Sequence, residues 1–203
     1  TNSGGFPNYA AYLDRNKFPS AILTEERLEA SLAPRRIDAI RAALVGEKGD
    51  PQFGISIKHV VPWTRTYHGI RGKVDFLVSH STMEHIDDLD EAYRIFSELT
   101  PTGGWMSHQI DFRSHGFTKA WNGYLALERS EWQRLAASQP YSINRRTAAA
   151  HLQLMSKSGY QVVNMLCRLR KSHVSRSQLA AEFRQLSEFD LQCVSMFVQA
   201  VRN

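Results

Sequence analysis

The stretch from Lys73 to Asp111 constrains this chain more than any other. It reads as a buried strand, Val74-Asp75-Phe76-Leu77-Val78-Ser79, followed by the polar cluster His80-Ser81-Thr82-Met83-Glu84-His85. A helix follows, then the turn Pro101-Thr102-Gly103-Gly104, then a second strand from Trp105 to Ile110. Two strands joined by a helix form a parallel pair, because the helix returns the chain to the edge it started from. The polar cluster then stands at the carboxyl edge of the sheet, where open α/β sheets hold their ligands. Four apolar or small residues after Asp75 predict a strand covered on both faces. Asp88 is placed to cap the helix, with Glu91 at the capping-box position. Leu89, Ala92, Tyr93, Phe96 and Leu99 recur in the three- and four-residue steps of a buried helix face.

The rest of the chain supports the same class. With 203 residues, 42% of them hydrophobic, it can bury a substantial core and is not a disordered segment. No apolar run approaches the roughly 20 residues needed to span a bilayer, and the first residues lack the charged and apolar regions of a signal peptide. Cys167 and Cys193 lie in apolar, strand-like segments without metal or redox spacing. They read as buried free thiols of a cytoplasmic protein, with a disulfide between neighbouring strands as the alternative. The net charge of +5 comes from scattered basic residues rather than a stripe interleaved with aromatics, which argues against nucleic acid as a partner.

Thr24 is placed to cap a first helix and Pro34 to open a second, so residues 24–46 predict a helical hairpin closed by Gly46. Ile55–Val61 reads as a strand stopped by Pro62-Trp63. Beyond Asp111, Trp121–Ala137 reads as helical, and another helix starts at Asn144 and closes at Gly159. Tyr160–Arg170 reads as a strand, Ser175–Leu186 as a short helix and Leu191–Val201 as a final strand. Alternation of this kind argues for an α/β sheet.

Residues Val74 to Gly104 resemble the class I S-adenosylmethionine-dependent methyltransferases. The matching pieces are Asp75-Phe76-Leu77-Val78-Ser79, Met83-Glu84-His85-Ile86, Asp88-Leu89 and Pro101-Thr102-Gly103-Gly104. The resemblance implies a Rossmann-like, mostly parallel sheet with helices on both faces and a terminal antiparallel strand pair, here Tyr160–Arg170 with Leu191–Val201. The family's turn before the second of these strands is a short basic-Pro-Gly-Gly; here Thr100 precedes the proline and Thr102 is inserted. The family also places a glycine-rich loop after its first strand, and Ser3-Gly4-Gly5 does not follow a strand. The expectation is therefore that residues 1–203 form the C-terminal part of one methyltransferase domain. Residues 1–50 would be a helical insertion or lid and 51–203 the sheet core.

The resemblance implies S-adenosylmethionine as cofactor and a small-molecule or glycan-type methyl acceptor. Ser79, His80 and Ser81 would touch the methionine part of the cofactor, and Pro62 and Trp63 its adenine. His85, Asp111 and His115 are the candidate catalytic groups, since histidine titrates near neutrality and suits a base. Glu84 is a further base or substrate contact. A metal reading over His80, His85, His108, Asp111 and His115 lacks a recognised ligand spacing, and no metal is expected. The alternative to an enzyme is a methyltransferase-like module that binds a partner instead of the cofactor.

Overall fold

The computed structural model describes residues 24–46, 51–58, 60 and 67–203. It divides into two compact units, residues 1–61 and 62–203. In the first, α1 (Glu25–Ser31) starts where Thr24 Oγ1 accepts the Arg27 N–H at 3.2 Å. Glu25 and Glu26 occupy its first turn, at the positive end of the helix. Pro34 opens α2 (Pro34–Leu44), at a position where its missing N–H costs nothing. Gly46 turns the chain away with a φ of +77°. The described residues of Ile55–Val61, namely 55–58 and 60, form no strand. Ile57 and Val60 stay exposed. Alternation yields a strand only where a neighbour supplies a ladder and a face to pack on.

The second unit contains β1 (Phe76–His80), α3 (Leu89–Leu99), β2 (Trp105–Asp111), α4 (Arg129–Ala137), α5 (Ala148–Lys157), β3 (Tyr160–Leu169), α6 (Glu188–Gln192) and β4 (Cys193–Arg202). The strands form one sheet in the order β1-β2-β4-β3. β1 and β2 are parallel, with Ser79 opposite His108 and His80 opposite Gln109. β4 runs antiparallel to both β2 and β3. The fold is α/β and Rossmann-like at its β1-α3-β2 crossover, and its last two strands form the expected antiparallel pair.

Several boundaries differ from expectation for local reasons. Trp121–Ala137 is a short 3-10 turn (Gly123–Ala126) followed by α4, because the Glu128–Glu131 capping box restarts the helix. The helix expected from Asn144 begins at Ala148 under a Thr147 cap, since the Asn144 side chain is engaged elsewhere. Ser175–Leu186 holds two 3-10 turns, Arg176–Gln178 and Ala181–Phe183. Ser187 caps α6, so the last strand starts at Cys193 rather than Leu191.

α3 and α5 cover one face of the sheet, burying Leu89, Tyr93, Met106, Ile110, Met155, Met196 and Val198. On the other face Phe76 is 54% and Val78 71% exposed, beside Trp105. Among the described residues β1 is thus covered on one side, where its apolar run predicted two. A second cluster joins Tyr124, Trp132, Ile143, Phe183 and Leu191. The buried Arg145 guanidinium lies over the Trp132 and Phe183 rings and pairs with Glu182. That cluster anchors the loop 141–146. Among the described residues no helix is long and apolar enough to cross a membrane.

Candidate active site

The parallel pairing of β1 and β2 ends both strands at one edge. The Ser81 N–H extends the ladder by one bond to the Gln109 carbonyl, at 2.9 Å. The chain then enters a single 3-10 turn, Met83–His85, that buries Met83 and Glu84. The Asn144 side-chain amide donates to the carbonyls of Met83 and Ile86, both at 2.8 Å, and its backbone N–H donates to that of Glu84, also at 2.8 Å. Three hydrogen bonds from one residue therefore hold the turn in place.

Asp111 ends β2. Its Oδ1 accepts the backbone N–H and the Nε–H of Arg113, each at 2.9 Å. Burial alone would raise its pKa, but the Arg113 hydrogen bonds and charge outweigh burial and hold it below the usual carboxylate value. His115 follows with a φ of +49°, ahead of Gly116 at +87°. The Tyr141 hydroxyl donates to the His115 carbonyl at 2.8 Å. This turn brings His115 Nε2 to 3.7 Å from Asp111 Oδ2 and 3.9 Å from Glu84 Oε1. His85 meets His115 edge-on, with ring centroids 5.1 Å apart, and His85 Nδ1 lies 2.6 Å from the Ser142 carbonyl.

Glu84 is the unusual member. Its side chain is 4% exposed and neither carboxylate oxygen has a hydrogen-bond partner. Burial raises its pKa; its own backbone N–H and the neighbouring imidazoles only partly offset that. A carboxyl group so placed favours a proton or a cation. An open cleft of about 400 Å³ faces the group, lined by His85, His115, Tyr141 and Ser142. Larger clefts lie between the ends of α3 and α5 and beside Arg145, but their lining includes neither Glu84 nor His115.

The fold brings His85, Asp111 and His115 together, as the sequence suggested, and adds Glu84 to them. Ser79 Oγ sits 2.8 Å from His108 Nδ1 and is engaged across the β1-β2 ladder. His108 is buried and its pKa is pushed down to about 4 by desolvation, so it belongs to the sheet interior. His80 and Ser81 are exposed at the carboxyl edge. Pro62 and Trp63 lie outside the described residues. Tyr141, Ser142 and Asn144 were not legible as site residues. Ser142 meets His85 across 57 positions, and no local pattern marks such a contact.

No protein-family model matches the sequence, and no curated protein matches it. Among solved structures, an S-adenosylmethionine dependent methyltransferase from Mesorhizobium loti is 16% identical over 84% of this chain and 77% of its own, with a TM-score of 0.49. A SAM-dependent methyltransferase from Methanosarcina mazei is 9% identical over 77% and 69%, also at 0.49. One from Listeria monocytogenes, described in similar terms, is 12% identical over 66% of this chain and 63% of its own, at 0.41. This chain thus accounts for 63–77% of the length of those structures. The fold assignment rests on strand order and register: the parallel β1-α3-β2 unit, then the antiparallel terminal pair. The fold is α/β and Rossmann-like. The cluster around His115 stands at its carboxyl edge, where folds of this type hold ligands.

Proposed function

We propose that this chain carries the acceptor side of an S-adenosylmethionine-dependent methyltransferase and that His115 is its general base. The observation supporting this is the clustering of Glu84, His85 and Asp111 around His115, with His85 and His115 lining a cleft at the carboxyl edge of a methyltransferase-like sheet. The sulfonium of the cofactor supplies an electrophilic methyl group. The acceptor must lose a proton as its oxygen or nitrogen forms the new bond to carbon and the bond from carbon to sulfur breaks. His115 Nε2 takes that proton, and the carboxylates of Asp111 and Glu84 steady the imidazolium that results. Arg113 keeps Asp111 ionised for this role. Exposed His80 and Ser81 hold the methionine end of the cofactor, Ser79 acts through its bond to His108, and Pro62-Trp63 form the adenine platform.

In this reading residues 1–203 are the C-terminal part of a methyltransferase domain, with residues 1–50 a helical insertion or lid. The cleft suits a small-molecule or glycan-type acceptor, because it is of small-ligand size and lined by groups that bind hydroxyls. A cytoplasmic location is supported by the two free thiols, Cys167 and Cys193. Calorimetric titration with S-adenosylhomocysteine tests the reading. One binding event with a matching thermal shift is expected. Absence of both overturns it in favour of a partner-binding module on the same fold.

A further inference from the structure

The Glu84 carboxylate is buried, and no other described residue donates a hydrogen bond to either of its oxygens. An unpaired carboxylate in such a position is costly unless a cation or proton meets it. The neighbours that face it are not cationic side chains at hydrogen-bond distance but imidazole rings. His115 Nε2 is itself buried without a partner, 3.9 Å from Glu84 Oε1. One donor atom each from Glu84, His85 and His115 lies within 4.8 Å of the others.

His85 shows the tautomer such an arrangement needs. Its Nδ1 is 2.6 Å from a carbonyl oxygen, that of Ser142, which can only accept. Nδ1 therefore carries the proton, and in the neutral ring Nε2 keeps its lone pair. A backbone carbonyl behind a ligating histidine is the usual device that fixes ring orientation and raises ligand basicity. The backbone under the other two residues is equally restrained. Asn144 clamps the Glu84 turn with three hydrogen bonds, and Tyr141 holds the His115 carbonyl.

We infer that Glu84, His85 and His115 bind one divalent transition-metal ion, of the zinc class, with an open coordination position facing the cleft. Two imidazoles and one carboxylate form a borderline donor set that suits Zn²⁺, Co²⁺ or Fe²⁺, whereas Mg²⁺ and Ca²⁺ prefer all-oxygen sites. Bonds of about 2.1 Å place ligand atoms closer together than the 4.8 Å limit observed, a gap that rotation of the side chains about the fixed backbone closes. Asp111 stays outside the ligand set because Arg113 occupies it. The metal reading of the sequence named five residues. The fold keeps His85 and His115, replaces the others with Glu84, and leaves His80 at the exposed sheet edge and His108 bonded to Ser79.

Metal binding stands independently of the methyl-transfer reading, and only its use rests on that reading. There, an ion held by His115 would take over the role of the base, lowering the pKa of an acceptor hydroxyl at the open position, so a metal-loaded His115 and a proton-accepting His115 are alternative states of one site.

The test titrates Co²⁺ into the untagged full chain after chelator treatment, reading the visible absorption of the bound ion. One equivalent should give a saturating spectrum that Zn²⁺ abolishes. Glu84→Gln and His115→Ala should each weaken binding by at least about tenfold, with far-ultraviolet circular dichroism confirming that they fold. His173→Asn, an exposed histidine outside the cluster, should bind like the parent. No saturable binding, or binding unchanged in Glu84→Gln and His115→Ala, overturns the assignment. Titration of the metal-free chain with S-adenosylhomocysteine reports separately on the methyltransferase reading.

Discussion

Asn144 Nδ2 donates to the carbonyls of Met83 and Ile86 at 2.8 Å each, so one side chain straps the loop 141–146 to the turn that carries Glu84 and His85. Replacing it with Ala leaves both carbonyls without this donor. Each lost bond costs about 1 kcal/mol when water takes its place. Asn144→Ala should therefore lose about 2 kcal/mol in urea unfolding. It should also broaden the NMR signals of the His85 ring, which leans on the same loop through Ser142.

His115→Asn removes the proposed base while keeping a polar side chain able to occupy a positive φ. Transfer of labelled methyl to an acceptor should fall by about 10² to 10⁴ in kcat. S-adenosylhomocysteine affinity, read by calorimetry, should change little, because the proposed cofactor contacts are at His80 and Ser81. A parallel loss of cofactor affinity would assign His115 to binding instead.

Glu84→Gln should stabilise the metal-free chain at neutral pH. Burial raises the Glu84 pKa above its ordinary value of 4.5. Between 4.5 and the raised value the folded state holds a proton that the unfolded state has lost, so stability falls as pH rises through that window. The amide ionises in neither state and removes the loss. A gain in stability at neutral pH is expected in chemical unfolding, reversing to a deficit when Zn²⁺ is added.

In the same Glu84→Gln background, stability should fall as pH drops from 6.5 toward 4. His108 and His151 are buried, and desolvation pushes their pKa values down to about 4 and about 3. Below 6.5 the unfolded chain binds protons at these positions and the folded chain does not, so acid favours unfolding. The slope should approach about 1.4 kcal/mol per pH unit for each histidine. A flat profile between pH 6 and pH 4, read by unfolding at each pH, would show that these rings are protonated in the fold.

Gly104→Ala should destabilise the crossover. A Cβ there would lie 2.4 Å from Thr100 Cγ2 and 3.1 Å from the Pro101 carbonyl oxygen. Thr100 cannot yield easily: it is buried, donates to the Phe96 carbonyl and accepts from the Tyr160 hydroxyl. Overpacking of this kind costs about 1–3 kcal/mol, measurable as a lower Tm with unchanged α3 helicity.

What the chain determined by itself is local and periodic. The β1-α3-β2 unit was legible because a capping Asp88, a 3.6-residue apolar face and a Pro-Thr-Gly-Gly turn act within a few residues of one another. The same reading identified the edge on which His85, Asp111 and His115 meet. It misplaced Asn144 as a helix start, because an asparagine that caps and one that straps a distant turn look alike in sequence. It read Ile55–Val61 as a strand and β1 as doubly covered, since neither pattern says which segment pairs or packs there. The isolation of the Glu84 carboxylate, the tautomer of His85 and the partners Tyr141 and Ser142 were decided only by tertiary structure. Each depends on which groups approach from segments dozens of residues away, and desolvation and hydrogen bonding exist only once those segments are packed together.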